Sequence, residues 1–154
     1  MGCKNKQSRW NDSDAIILKG YTIDTALYRV SPIIRAFGIR TNYANQSQPN
    51  PYHQETLTLL TNSITSLNVI LMDYEVKMFH GETDTNCNGE YLDHNKILII
   101  QRESVEGYFD INIKNTITEE TSFLNEQDDC DSTSTARVEN TRLQFKGDRY
   151  QEVP

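Results

Sequence analysis

From Asn68 onward the hydrophobic side chains recur with a period of two. Ile70, Met72, Tyr74, Val76 and Met78 alternate with Asp73, Glu75 and Lys77. Successive side chains on a strand point to opposite faces, so this spacing predicts a half-buried β-strand. The pattern returns at 96–102 and again at 108–114, where Phe109, Ile111 and Ile113 alternate inward. Polar turns containing Gly81, Gly89 and Gly107 separate the runs, which predicts an antiparallel meander.

Earlier in the chain the outline is mixed. Residues 21–30 alternate until Ser31-Pro32 interrupts them, since proline donates no ladder hydrogen bond. Residues 33–43 fit either a further strand or a short helix ended by Gly38, and 42–50 read as a polar loop closed by Pro49 and Pro51. The helical pattern lies at 51–67, where Leu57, Leu60, Ile64 and Leu67 recur at three- and four-residue spacing. Pro51 suits a first helical turn and Glu55 the positive end of the helix dipole. The opposite face is Thr, Ser and Asn, weak helix formers, so packing against a sheet would have to hold this helix.

These elements predict an α+β fold. An antiparallel sheet of about five to six strands, with its C-terminal meander, packs against one main amphipathic helix at 51–67. A length of 154 residues suits one domain. The expected boundaries are a flexible leader at 1–14, the α+β body at 15–117, an acidic Ser/Thr-rich loop or disordered insert at 118–136, and a possible last strand with a polar tail at 137–154.

The first residues, Met1-Gly2-Cys3-Lys4-Asn5-Lys6, bear on function. With Met1 removed, Gly2 is the residue type that accepts an N-myristoyl group, and Cys3 beside it is a palmitoylation site. One myristoyl chain binds a bilayer only marginally, so a second signal is needed. Cys3 or the cluster Lys4, Lys6, Arg9 and Lys19 can supply it on anionic lipid. This start resembles that of dually acylated signalling proteins such as Src-type kinases and G-protein α subunits. The resemblance covers half a dozen residues and implies the modification, with Lys6 standing where the pattern prefers Ser or Thr.

Other properties agree with a peripheral role. The longest apolar runs, at 15–18, 69–72 and 97–100, fall far short of the roughly 20 residues of a membrane-spanning helix. Three cysteines, Cys3, Cys87 and Cys130, are odd in number and scattered, which predicts no disulfide framework and a reducing cytoplasm. Residues 1–54 carry seven basic and three acidic side chains, and residues 55–154 carry eight and nineteen, so +4 and −11 make up the net −7. That asymmetry predicts a polarised molecule whose basic part faces anionic lipid or nucleic acid.

Candidate chemistry is sparse. Asp84, Asn86 and Asn88 before Gly89 match the first half of a calcium-binding loop, but Asn95 stands where a closing Glu belongs. His80, Cys87 and His94 form a zinc set whose two seven-residue spacings match no familiar site. Arg29, Arg35 and Arg40 with Tyr28, Phe37 and Tyr43 interleaved could hold lipid headgroups or stack and clamp RNA. No nucleophile-elbow, phosphate-loop or zinc-protease motif occurs, so the chain reads as a non-enzyme without a cofactor or small-molecule substrate.

The functional expectation is an acylated peripheral protein on the cytoplasmic leaflet that binds anionic lipid and self-associates. A short basic leader before one compact α+β domain resembles, in architecture, the matrix proteins of enveloped negative-strand RNA viruses. That likeness implies a virion structural protein at a host cell membrane. The alternatives are a membrane-tethered adaptor whose acidic segment binds a protein partner, and an RNA-binding protein using Arg29, Arg35 and Arg40.

Overall fold

The computed structural model describes residues 14–154. Eight strands follow one another: β1 (Ile17–Arg29), β2 (Arg35–Ala44), β3 (Tyr52–Asn62), β4 (Leu67–Thr83), β5 (Gly89–Val105), β6 (Tyr108–Leu124), β7 (Cys130–Lys146) and β8 (Arg149–Val153). Each pairs antiparallel with the next, and the sheet order is the chain order. Among the described residues there is no helix, and hence none long and apolar enough to cross a membrane. The expected α+β fold is therefore corrected to an all-β one, with eight strands in place of five or six.

The segment expected as a helix is β3. His53 pairs with Ala44 of β2 and Leu60 with Phe37, while β4 covers the other edge. Its period of two is masked because both faces are covered. Leu57, Leu59 and Thr61 are buried on one side, and Thr56 and Leu60 are nearly so on the other. A strand apolar on both faces loses its alternation, and Leu57, Leu60, Ile64 and Leu67 then imitate a helical stripe. Ile64 lies in the loop between β3 and β4, and Leu67 opens β4. The threonines that weakened the helix are at home in a strand.

The three strands of the expected meander are neighbours here, but the join between β4 and β5 is partial. Residues 77–83 of β4 pair with 89–95 of β5, while 67–75 pair with β3 alone and 96–105 with β6 alone. The sheet thus divides into two leaves, β1–β4 and β5–β8, that close on each other. The backbone N–H of Phe109 donates to the carbonyl of Val30 at 2.7 Å, and the Tyr74 hydroxyl donates to Glu152 at 2.9 Å. Val30, Leu57, Leu59, Ile70, Val76, Ile111, Ile113 and Leu143 fill the space between. Phe145 stacks on Tyr108 there, with Tyr150 edge-on to both.

Gly38 marks a close approach inside the first leaf. A Cβ there would lie 2.8 Å from Leu57 Cδ1 and 3.0 Å from Asp24 Cβ, so β1 to β3 pack closely only with glycine.

The acidic stretch expected as a loop or disordered insert is mostly ladder. Residues 118–124 of β6 pair with 130–136 of β7, and only 125–129 form the turn. Cys130–Asn140 is exposed along its whole length, so backbone pairing holds side chains that composition alone reads as solvated. The cysteine expectation is also corrected. Cys87, in the loop after β4, is disulfide-bonded to Cys130 at the start of β7.

Candidate functional site

The strand order sorts the loops to two ends. One end, where β1 begins, carries loops 45–51, 84–88 and 125–129; the other carries 30–34, 63–66, 106–107 and 147–148. We call these the leader end and the far end. Gly2, Cys3, Lys4, Lys6 and Arg9 lie outside the described residues, and Lys19 is exposed on β1 near the leader end.

The three arginines do not form one surface. Arg29 and Arg35 are register partners across β1 and β2 at the far end, both exposed, and Arg35 donates to the Thr25 carbonyl at 3.4 Å. Arg40 is turned into the molecule and bonded to Asp24 at 2.7 Å and to Glu55. Burial works against its charge, but the bonds to Glu55 and Asp24 outweigh it and raise its pKa. Asp24 feels the same contest. Burial raises its pKa, yet hydrogen bonds from Tyr28, the Ala26 backbone and Arg40 hold it below the usual carboxylate value. Burial, with Asp24 behind it, pushes the Tyr28 hydroxyl up to about 12. Arg40 is therefore an internal charge with its partners satisfied and is not available to RNA phosphate.

Beside this network lies a cleft of about 720 Å³ between residues 26–28 of β1 and 95–100 of β5. Lys96 at its wall is paired with Glu75 at 3.3 Å and lies over the Tyr74 ring. Tyr28, Arg40 and Glu55 in its wall belong to the network above, and Lys77 and Asn95 complete its polar lining.

The calcium candidate is a closed turn. Asp84 Oδ1 accepts the backbone N–H groups of Asn86, Cys87 and Asn88, and Oδ2 accepts the Asn88 side chain. Those bonds, led by the one from Asn88, lower the Asp84 pKa. A carboxylate committed to four protein donors has its lone pairs occupied, so the residue types reflect an Asx turn. The zinc set is not brought together either: Cys87 is in the disulfide and His94 is hydrogen-bonded to Asn115. Among the described residues no three His, Cys, Asp or Glu side chains are placed to hold a metal.

What the structure does bring together is charge and apolar surface at opposite ends. On β4–β7 near the leader end, Glu82 faces Glu90 across the ladder, and Glu120, Asp128, Asp129 and Asp131 are exposed around them. In the first leaf, residues 25–54 and 56–72 contain no acidic side chain. That leaf exposes Ile33 (93 %), Ile64 (104 %), Ile23 (72 %) and Leu67 (60 %). No family model matches the chain, and no curated protein or solved structure is similar to it.

Sequence reasoning missed this surface because it gave Ile64 to a helix and Ile33 to a strand or helix. The signal was present in composition. Each isoleucine sits within turn-forming residues, Ser31-Pro32-Ile33 and Asn62-Ser63-Ile64-Thr65-Ser66, a local signal that competed with the apolar spacing through Leu57, Leu60, Ile64 and Leu67.

Proposed function

We propose that this chain is a non-enzymatic peripheral membrane protein that lies on an anionic lipid surface and self-associates there; the likeness to viral matrix proteins rests on an α+β architecture and goes with it. The observation that carries the reading is the separation of the acidic leader end from a first leaf that is free of acid over 25–54 and 56–72 and exposes isoleucines. Anionic lipid attracts one end and repels the other, so such a molecule has a preferred orientation at the surface. Among the described residues β1 also has one long edge without a neighbouring strand, a surface on which a second copy can add.

Acylation of Gly2 and Cys3 would add an anchor on the cytoplasmic leaflet, with Lys4, Lys6 and Arg9 supporting it. The Cys87–Cys130 bond pulls the other way, since disulfides persist in oxidising compartments. Intact mass of the native protein tests both at once. The anchored reading expects loss of Met1 and a myristoyl increment, and flotation with membranes that Gly2→Ala abolishes. A mass with no acyl group overturns the anchor. Wild-type protein that stays out of the membrane fraction overturns the lipid-surface reading altogether.

The adaptor reading keeps one specific support. The acidic end is held in register by the β6–β7 ladder and by the disulfide, which presents its carboxylates as a fixed surface for a basic partner. A binding partner competed off by salt and lost on neutralising Asp128, Asp129 and Asp131 would favour it.

A further inference from the structure

Two adjacent loops at the far end present isoleucine to water in a way that neither folding nor the leader explains. Loop 30–34 leads into β2 and loop 63–66 leaves β3, and β2 and β3 are paired as far as Phe37 and Leu60, so both tips lie at one edge of the leaf. Ile33 is 93 % exposed and Ile64 is 104 % exposed. Both loops are tied behind these side chains. Ser31 Oγ accepts the N–H of Ile34 at 2.9 Å and Val30 N–H donates to the Ile34 carbonyl at 3.0 Å. Ser63 N–H donates to the Ser66 carbonyl at 2.8 Å, and the two hydroxyls meet at 2.8 Å. The isoleucines are thus held outward.

Around the tips apolar and basic groups predominate. Ile23, Phe37, Leu67 and Arg35 help line a cleft of about 540 Å³ beside them, and its one carboxylate, Asp24, is bonded to Tyr28 and Arg40. Arg29 and Arg35 are exposed and form no ion pair among the described residues. The remaining acidic groups at this end belong to the other leaf. Glu103 and Asp110 are held by Arg142, Asp148 by Arg149, and Glu106 accepts the Gly147 N–H. Apolar tips backed by unpaired guanidinium groups match the layering of a bilayer surface, with acyl carbon below phosphate.

The geometry points to a lipid-insertion site at the far end, in which Ile33 and Ile64 enter the acyl boundary of an anionic bilayer and Arg29 and Arg35 bind its phosphates. This rests on the lipid-surface reading and names the residues that perform it. The leader does not conflict with it. β1 has 13 residues, roughly 43 Å of strand, and the fifteen steps from Gly2 to Ile17 reach about 50 Å when extended. An acylated Gly2 and the far end can therefore meet one membrane.

The test uses the full chain without acyl groups and vesicles of phosphatidylcholine containing phosphatidylserine, with co-sedimentation and sedimentation velocity as readouts. Ile33→Ser with Ile64→Ser is expected to lower partitioning at least tenfold while melting as the wild type does. Arg29→Gln with Arg35→Gln is expected to weaken partitioning and reduce its salt dependence, the leader cations supplying the remainder. Ile97→Ser with Ile99→Ser, an exposed pair on β5 (55 % and 44 %) away from the tips, is expected to bind normally. Wild-type binding that the tip variant retains overturns the insertion site and leaves the lipid-surface reading standing. No wild-type binding to charged vesicles overturns the insertion site, and failure of the native, acylated protein to float with membranes as well overturns the lipid-surface reading. A wild-type dimer that the tip variant abolishes, with vesicle binding unchanged, overturns it in favour of a second copy as the occupant.

Discussion

Cys87 and Cys130 are bonded across 43 residues of sequence, with their Cα atoms 5.6 Å apart. The bond joins the loop after β4 to the first residue of β7, and Ser122 of β6 reinforces it by donating to the Cys87 carbonyl at 2.6 Å. Three successive hairpins are thereby held together at an end where carboxylates repel one another.

Removing that link should destabilise the fold. A cross-link closing a loop of this length restricts the unfolded chain by an amount worth about 2–4 kcal/mol. Cys87→Ser with Cys130→Ser, or reduction of the wild type, is expected to lower the urea midpoint accordingly. An unchanged midpoint would mean that the ladder between β6 and β7 alone holds this end.

The Asp24–Arg40–Glu55 network predicts an acid dependence of stability. The folded pKa of Asp24 lies below its ordinary value of 3.8. Its stabilisation is therefore complete above the unfolded pKa and is lost as pH falls through the lower folded one. Asp24→Asn should flatten the loss seen in the wild type below about pH 5. Arg40→Met should cost about 2 kcal/mol, less than a fully buried pair because Arg40 keeps 27 % of its side chain exposed. Parallel wild-type and Asp24→Asn acid limbs in chemical unfolding would contradict this account.

Burial in β3 separates the strand from the helix that its spacing imitates. Leu59→Ala should cost about 2–5 kcal/mol, because Leu59 is wholly buried and leaves a cavity. Ile64→Ala should change stability by less than about 0.5 kcal/mol, since Ile64 is fully exposed in its loop. A helix packed on a sheet through Leu57, Leu60, Ile64 and Leu67 would reverse that order, giving a large cost at Ile64.

The same residues show what could be seen in sequence. Alternation was legible where one face meets solvent, as at Val76, buried between half-buried Glu75 and exposed Lys77 in β4, although Met72, expected on the same inward face, is exposed. It failed in β3, where Thr56 and Leu57 are both buried and no polar face remains to mark the period. β7 failed for the opposite reason, because from Cys130 to Asn140 neither face is buried and only the backbone ladder with β6 defines the strand. The disulfide was hidden because pairing depends on which loops meet in space, and an odd count disguised one bond. Charge asymmetry along the chain did translate into space. A sequential meander keeps neighbours in sequence as neighbours in the sheet, so the acid-poor early strands stay together.

Orientation on the membrane is the central claim, and hydrogen–deuterium exchange of the full chain bound to phosphatidylserine-containing vesicles measures it directly. Slowed exchange is predicted at 30–36 and 63–69, with 125–131 unchanged from the free protein. Protection centred on the acidic turn at 125–129, or no protection at either far-end loop in protein that is bound, would contradict the account.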